Sequence, residues 1–191
     1  CWPVTSWSSR DYFGNWKALH FTTQDVFAPI SLSLNLNNDV IKVWGMSNFE
    51  DLIEDKLVVK IWNFDGTKVK QISRAISIKA NTANLLFNKK YKLNENQFMI
   101  AKLKNKEAIS KTIFAIKVKN IAFDKPTLTY NWENNTLTIE SDIPAFEVYL
   151  HGLDGHFTDN FFTLLPGEKK TIKFEGEKSN KNKLLIWSLY D

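Results

Sequence analysis

The sequence carries one cysteine, Cys1, two arginines, Arg10 and Arg74, and seven glycines in 191 residues. One thiol closes no intrachain disulfide, so the fold must rest on its core rather than on cross-links. So few glycines leave little from which to build a phosphate-cradling loop, and no Gly-rich phosphate loop, CxxC, HExxH or GxSxG string occurs. No apolar run approaches the roughly 20 residues of a membrane-spanning helix. A basic segment followed by an apolar one, the pattern of a secretory signal, is also missing. The net charge of +4 and pI near 9.0 would suit a nucleic-acid partner. That charge is almost all lysine, however, and arginine is the usual reader of base edges. Lysines also alternate with other residues, as in Lys102, Lys104 and Lys106 or Lys117 and Lys119, the pattern of a strand's wet face. Nucleic acid is therefore not an expected partner.

What is present is apolar and aromatic: 43% hydrophobic and 14% aromatic residues, enough for packed cores and too much for a disordered chain. The aromatics crowd the beginning, where Trp2, Trp7, Tyr12, Phe13, Trp16 and Phe21 precede anything strand-like. Residues 8–20 are expected to be one helix. Ser8 and Asp11 have capping-box spacing, and Tyr12, Phe13, Trp16, Leu19 and His20 recur at helical intervals. Gly14 inside it costs about 1 kcal/mol relative to Ala. So short a helix is marginal alone in water, and its aromatic face must dock on something.

From Phe27 onward the period is two. Ile30, Leu32, Leu34 and Leu36 alternate with Ser31, Ser33 and Asn35, and further strands are expected over 40–44, 57–64, 69–78, 98–103 and 112–119. The stretch 83–87 has an ambiguous period. Asn37-Asn38-Asp39 and Asp65-Gly66-Thr67 have hairpin-turn composition. These elements imply an immunoglobulin-like sandwich. After Asp124-Lys125-Pro126, strands over 127–132, 136–140, 146–150, 157–162, 171–174 and 184–189 imply a second, smaller one. Leu165-Pro166-Gly167-Glu168 suits a type II turn.

The strings Cys1-Trp2-Pro3, Ser6-Trp7-Ser8-Ser9, Asp11-Tyr12-Phe13-Gly14, Trp16-Lys17-Ala18-Leu19 and Phe27-Ala28-Pro29 resemble one join in the β-mannosidases of the second glycoside hydrolase family. At that join the last loop and helix of the catalytic (β/α)8 barrel lead into two C-terminal immunoglobulin-like domains. The run from Asp159 to Phe174 is similar to a turn region of the family's last domain. The resemblance implies a mainly β chain: residues 1–22 as the end of a catalytic barrel, 23–124 as one sandwich and 125–191 as a smaller one. It implies that the partners of the opening aromatics are the rest of the barrel. Trp2 would border the sugar pocket, its indole face stacking on a pyranose ring, with a plain hydrophobic plug as the other reading. The parent would act on terminal β-linked mannose by double displacement, without metal or organic cofactor. Related members that cleave β-galactosides or β-glucuronides leave the sugar open. The two carboxylates that retaining glycosidases hold about 5–5.5 Å apart lie on earlier barrel strands of the family, so this chain by itself is expected to hydrolyse nothing.

Other clusters are weighed by residue type. Glu50, Asp51, Glu54 and Asp55 are expected in a solvated loop. His151, Asp154, His156 and Asp159 are plausible zinc ligands by type, but their spacing fits no structural site. Asp154-Gly155 reads better as a hairpin turn with its histidines toward water. Trp44, Trp62, Trp132 and Trp187 are expected in sandwich cores, Trp132 being the best candidate for an exposed sugar platform. A free-standing carbohydrate-binding or adhesin-type module is the alternative function. An opening on Cys1 leads to the expectation that a preceding stretch, targeting signals included, has been removed. The lysine- and asparagine-rich composition leads to that of a bacterial parent, periplasmic or secreted.

Overall fold

The alternation of apolar and polar residues becomes two-layered antiparallel sheet in both parts of the chain. The computed structural model describes residues 8–108, 110–176 and 183–191. Among these, the residues up to Gln24 group with Phe123–Asp191, and Asp25–Ala122 form the other compact unit.

In the unit 25–122, β1 (Ile30–Asn37), β2 (Val40–Ser47) and β5 (Ala83–Lys90) form one sheet in the order β1-β2-β5. Strands β3 (Ile53–Asn63), β4 (Lys68–Ile78), β6 (Gln97–Leu103) and β7 (Ile113–Phe114) form the other, in the order β4-β3-β6-β7. The β1–β2 turn works because Asn38 and Asp39 both accept positive φ, 48° and 60°, which a two-residue hairpin closing on Asn37 and Val40 demands. Leu32, Leu34, Ile41 and Val43 face Leu57, Val59 and Ile61 across an aliphatic core. Gly45 belongs to that core, since a Cβ there would meet Leu86 Cδ1 at 2.6 Å.

In the other unit, β8 (Leu128–Glu133), β9 (Thr136–Ser141), β11 (Gly155–Phe157) and β13 (Lys169–Gly176) make a sheet ordered β11-β13-β9-β8. Strands β10 (Ala145–His151), β12 (Phe162–Leu164) and β14 (Leu185–Trp187) make its partner, ordered β12-β10-β14. Its core is richer in rings, with Phe157, Phe162 and Phe174 beside Leu137, Ile139 and Val148. The Leu165–Glu168 turn forms as its residues dictate, with Gly167 at φ 74° and Glu168 N–H donating to the Leu165 carbonyl at 3.0 Å.

Several expectations are corrected. The helix is α1 (Ala18–Val26), not 8–20. Before it the chain turns sharply, because Asp11 bonds locally: its carboxylate accepts from Asn15 N at 2.9 Å and Asn15 Nδ2 at 3.0 Å. Ser8 likewise bonds Arg10 rather than capping a helix. The stretch 83–87 lies in β5, whereas 112–119 holds only the two residues of β7 and a 3-10 turn at Val118–Asn120. The stretch 157–162 is broken between β11 and β12. Glu54 and Asp55 lie in β3 rather than in a loop. Asp55 is buried and accepts from Asn105 N at 3.2 Å and Asn105 Nδ2 at 2.9 Å, tying down the loop after β6. Of the tryptophans expected in cores, Trp62 is buried, Trp44 points away from its core on β2, and Trp187 is 51% exposed.

Candidate functional site

The opening segment docks through rings on His156 of β11 and on Phe161 in the loop before β12. Its tight turn is held by a bridge between Arg10 and Trp16, by Arg10 Nε donating to the Gly14 carbonyl at 3.0 Å, and by the Arg10 guanidinium over the Trp16 indole at 4.7 Å. Trp16 then stacks on His20 at 3.9 Å and meets His156 edge-on at 5.8 Å. One residue on, Phe21 is 4% exposed, with Phe161 at 5.9 Å. Gln24 Nε2 donates to the Thr158 carbonyl at 3.4 Å.

The receiving loop is built by Asn160. Buried, its side chain accepts from Leu150 N at 2.7 Å and donates to Leu150 O at 2.8 Å, pairing with β10 as a strand residue would. That hold keeps Phe161 at φ 56°, a conformation that costs a phenylalanine energy and needs its surroundings to enforce it. In return Phe161 stacks on Tyr149 at 4.6 Å, Tyr149 on His151 at 4.7 Å, and His151 meets Trp187 at 4.3 Å. A continuous ring ladder results.

Burial shapes the electrostatics here. His20 is held below the usual histidine range by desolvation, with His156 adding repulsion, and His151 is lowered by desolvation. The Tyr149 hydroxyl is pushed up by burial and then by Asp11. Glu175 is lowered mainly by Lys173 and also pairs with His156 at 3.2 Å. The small cavity at this junction, about 40 Å³, is far below the about 300–1,000 Å³ of small-molecule sites, so the junction is a packing contact rather than a ligand pocket.

The candidate residues fall as follows. Trp2 lies outside the described residues. Trp132 is half-buried at the edge of the second core, its ring near Phe157 at 6.1 Å and Phe174 at 6.2 Å. His151, Asp154, His156 and Asp159 diverge: into the ring ladder, to the exposed surface, to Glu175 and to Lys170. Asp154-Gly155 is not a hairpin turn, because β10 and β11 belong to different sheets; His151 turns into the ring ladder, whereas the His156 side chain stays 41% exposed beside Glu175. Among the described residues no three His, Cys, Asp or Glu side chains come together as a metal site. Asn160 and Phe161 were not singled out from the sequence, although both lie in the string that carried the resemblance.

Residues 39–120 match the family model of the mannosidase Ig/CBM-like domain and residues 119–191 that of the Ig-fold domain of mannosidases. β-Mannosidase A of Aspergillus oryzae is 24% identical over 94% of the chain, and the chain spans 23% of that protein. The β-mannosidase of Rattus norvegicus is 34% identical over 45% of the chain, a match spanning 10% of that protein. The crystal structure of the β-D-mannosidase of Dictyoglomus thermophilum superposes with a TM-score of 0.84 at 24% identity, covering 98% of this chain and 25% of that one. An exo-chitosanase of Amycolatopsis orientalis shares the fold at a TM-score of 0.64 and 14% identity, covering 96% of this chain and 28% of that one. The chain thus spans about a quarter of the length of such relatives. By its two matching domain families, in their order, and by its relatives, the chain belongs with the C-terminal immunoglobulin-like portion of the β-mannosidases of the second glycoside hydrolase family.

Proposed function

We propose that the chain is the non-catalytic accessory region of a β-mannosidase-like retaining exo-glycosidase whose whole protein hydrolyses terminal β-D-mannosides. Within it, residues 1–22 end the catalytic barrel, 23–124 and 125–191 are the two accessory sandwiches, and the C-terminal one braces that end. The observation that carries this reading is the junction itself: Trp16 and Phe21 are gripped by His156 and Phe161 of the C-terminal sandwich. Tyr12 and Phe13, 81% and 80% exposed on the outside of the same turn, are free to pack against the remaining barrel. The exo-chitosanase likeness further supports a role in architecture rather than in choice of sugar, since a fold can serve several chemistries.

The test is hydrolysis of aryl β-mannoside and aryl β-galactoside by the full-length gene product and by residues 1–191 alone. The expected result is turnover of the mannoside by the full-length protein only. Turnover by the 191-residue chain would refute the accessory role, and turnover of neither sugar by the full-length protein would refute the glycosidase reading.

A further inference from the structure

The unit 25–122 has an outer sheet face whose residues suit a different task. On β2 the inward positions are Ile41, Val43, Gly45 and Ser47, so Lys42, Trp44 and Met46 face outward. Trp44 stands directly across from Ser33 on β1 and Leu85 on β5, in one row over the sheet. Met46, 39% exposed, and Leu85, 46% exposed, extend the half-buried indole into a narrow apolar strip. Along β1 the outward positions are Ser31, Ser33 and Asn35, short side chains that leave the strip uncovered and donate and accept hydrogen bonds at little rotamer cost.

Beside this row is a cavity of about 270 Å³, near the lower end of small-molecule sites. Ser31, Ser33 and Met46 line it, together with Asp25 and Lys111, which pair at 3.0 Å with half of each side chain exposed. On the far side of the row, Leu85 borders a second depression of about 390 Å³ that also holds Glu54 and Arg74. Ion pairing leaves the Asp25–Lys111 end without net charge, so nothing there selects an anionic polymer. Four oxygen- and nitrogen-bearing groups nevertheless remain able to bond a neutral hydroxylated ligand.

We propose that the outer face around Trp44 is a glycan-binding subsite, with a pyranose ring stacked on the indole and its hydroxyls bonded by Ser31, Ser33, Asp25 and Lys111. A pyranose has one face of C–H groups and a rim of hydroxyls, which matches an apolar strip one residue wide between short polar residues. A protein partner would need a broader contact, about 1,000 Å² of buried surface for a stable interface. Three adjacent strands span about 10 Å, room for a short run of sugar units between the two depressions. The site is independent of the glycosidase reading, because none of its residues takes part in the junction described above.

The test is affinity electrophoresis of the full-length protein through gels containing galactomannan, with wild type, Trp44→Ala and Ser33→Lys. The second variant fills the groove from an exposed position without disturbing the core. Wild type should be retarded relative to a plain gel, and both variants should lose about tenfold in apparent affinity, about 1.4 kcal/mol, with unchanged thermal midpoints and aryl-mannoside turnover. Wild-type retardation by both variants would overturn the proposal, as would the absence of any retardation of wild type. A fall in turnover matching the fall in retention would also overturn it, by tying the binding to the active centre. Loss of the glycosidase reading would leave this result standing, since retention is measured apart from turnover.

Discussion

The two sandwiches share a plan of three strands over four and differ in what covers the outer face of the three-stranded sheet. In the unit 25–122, that face carries Trp44 with Met46 and Leu85, bordered along β1 by Ser31, Ser33 and Asn35. In the other unit it carries the ladder Phe161, Tyr149, His151 and Trp187, and the chain's own opening segment lies over one end of it. Equal core architecture therefore does not fix the role of a sheet. The role follows from whether the outward row is finished by rings that need a protein partner or by hydroxyls and amides that suit a small polar one.

The comparison is broken most severely by removing the ring that joins segment to sheet. Phe21→Ala should destabilise its unit by about 3 kcal/mol, because a buried phenyl is lost from a site that cannot collapse around the gap. Chemical denaturation of the full-length protein reads this loss, and an effect below about 1 kcal/mol would show that the junction is not a packed contact. Asn160→Ala comes next, at about 2 kcal/mol, since it strands the buried N–H and C=O of Leu150. It should also expose the 158–161 loop to proteolysis, and an unchanged cleavage pattern would contradict the clasp.

The smallest effect is a pH dependence. His20 and His151 are lowered in the folded state by burial, so the unfolded chain takes up their protons more readily. Their contribution is thus complete above the ordinary histidine value of about 6.5 and is lost as pH falls through it. Glu175, lowered by Lys173, acts in the same direction at more acid pH, because its stabilisation is lost as pH falls below the ordinary glutamate range. Thermal midpoints between about pH 7.5 and 5.5 should fall for wild type and flatten for His151→Phe. Parallel curves would exclude burial of the imidazole as the cause.

Much of the sandwich architecture was legible because a strand half-buried in a sheet writes its environment at a period of two. Ile30 to Leu36 is such a case, and so are the Asn38-Asp39 and Pro166-Gly167 turns, whose backbone demands few residue types meet. The segment 8–20 was misread because Tyr12, Phe13 and Trp16 carry a helical spacing that Asp11 and Asn15 override by bonding each other. The break at Asn160-Phe161 was invisible for a similar reason: aromatic residues on both sides of it continue a strand pattern, and only the bond to Leu150, ten residues away, turns the chain.

Sequence by itself determined the layer type, most strand positions, the Asn38-Asp39 and Pro166-Gly167 turns and the family, because these depend on neighbouring residues and on strings long enough to be specific. Tertiary structure alone decided that Trp44 faces outward, that Asp55 is a buried tether, and that Phe21 meets a loop from the far end of the chain. Those outcomes depend on which face of a sheet another element covers. Contacts between residues distant in sequence settle that, and no local pattern encodes it.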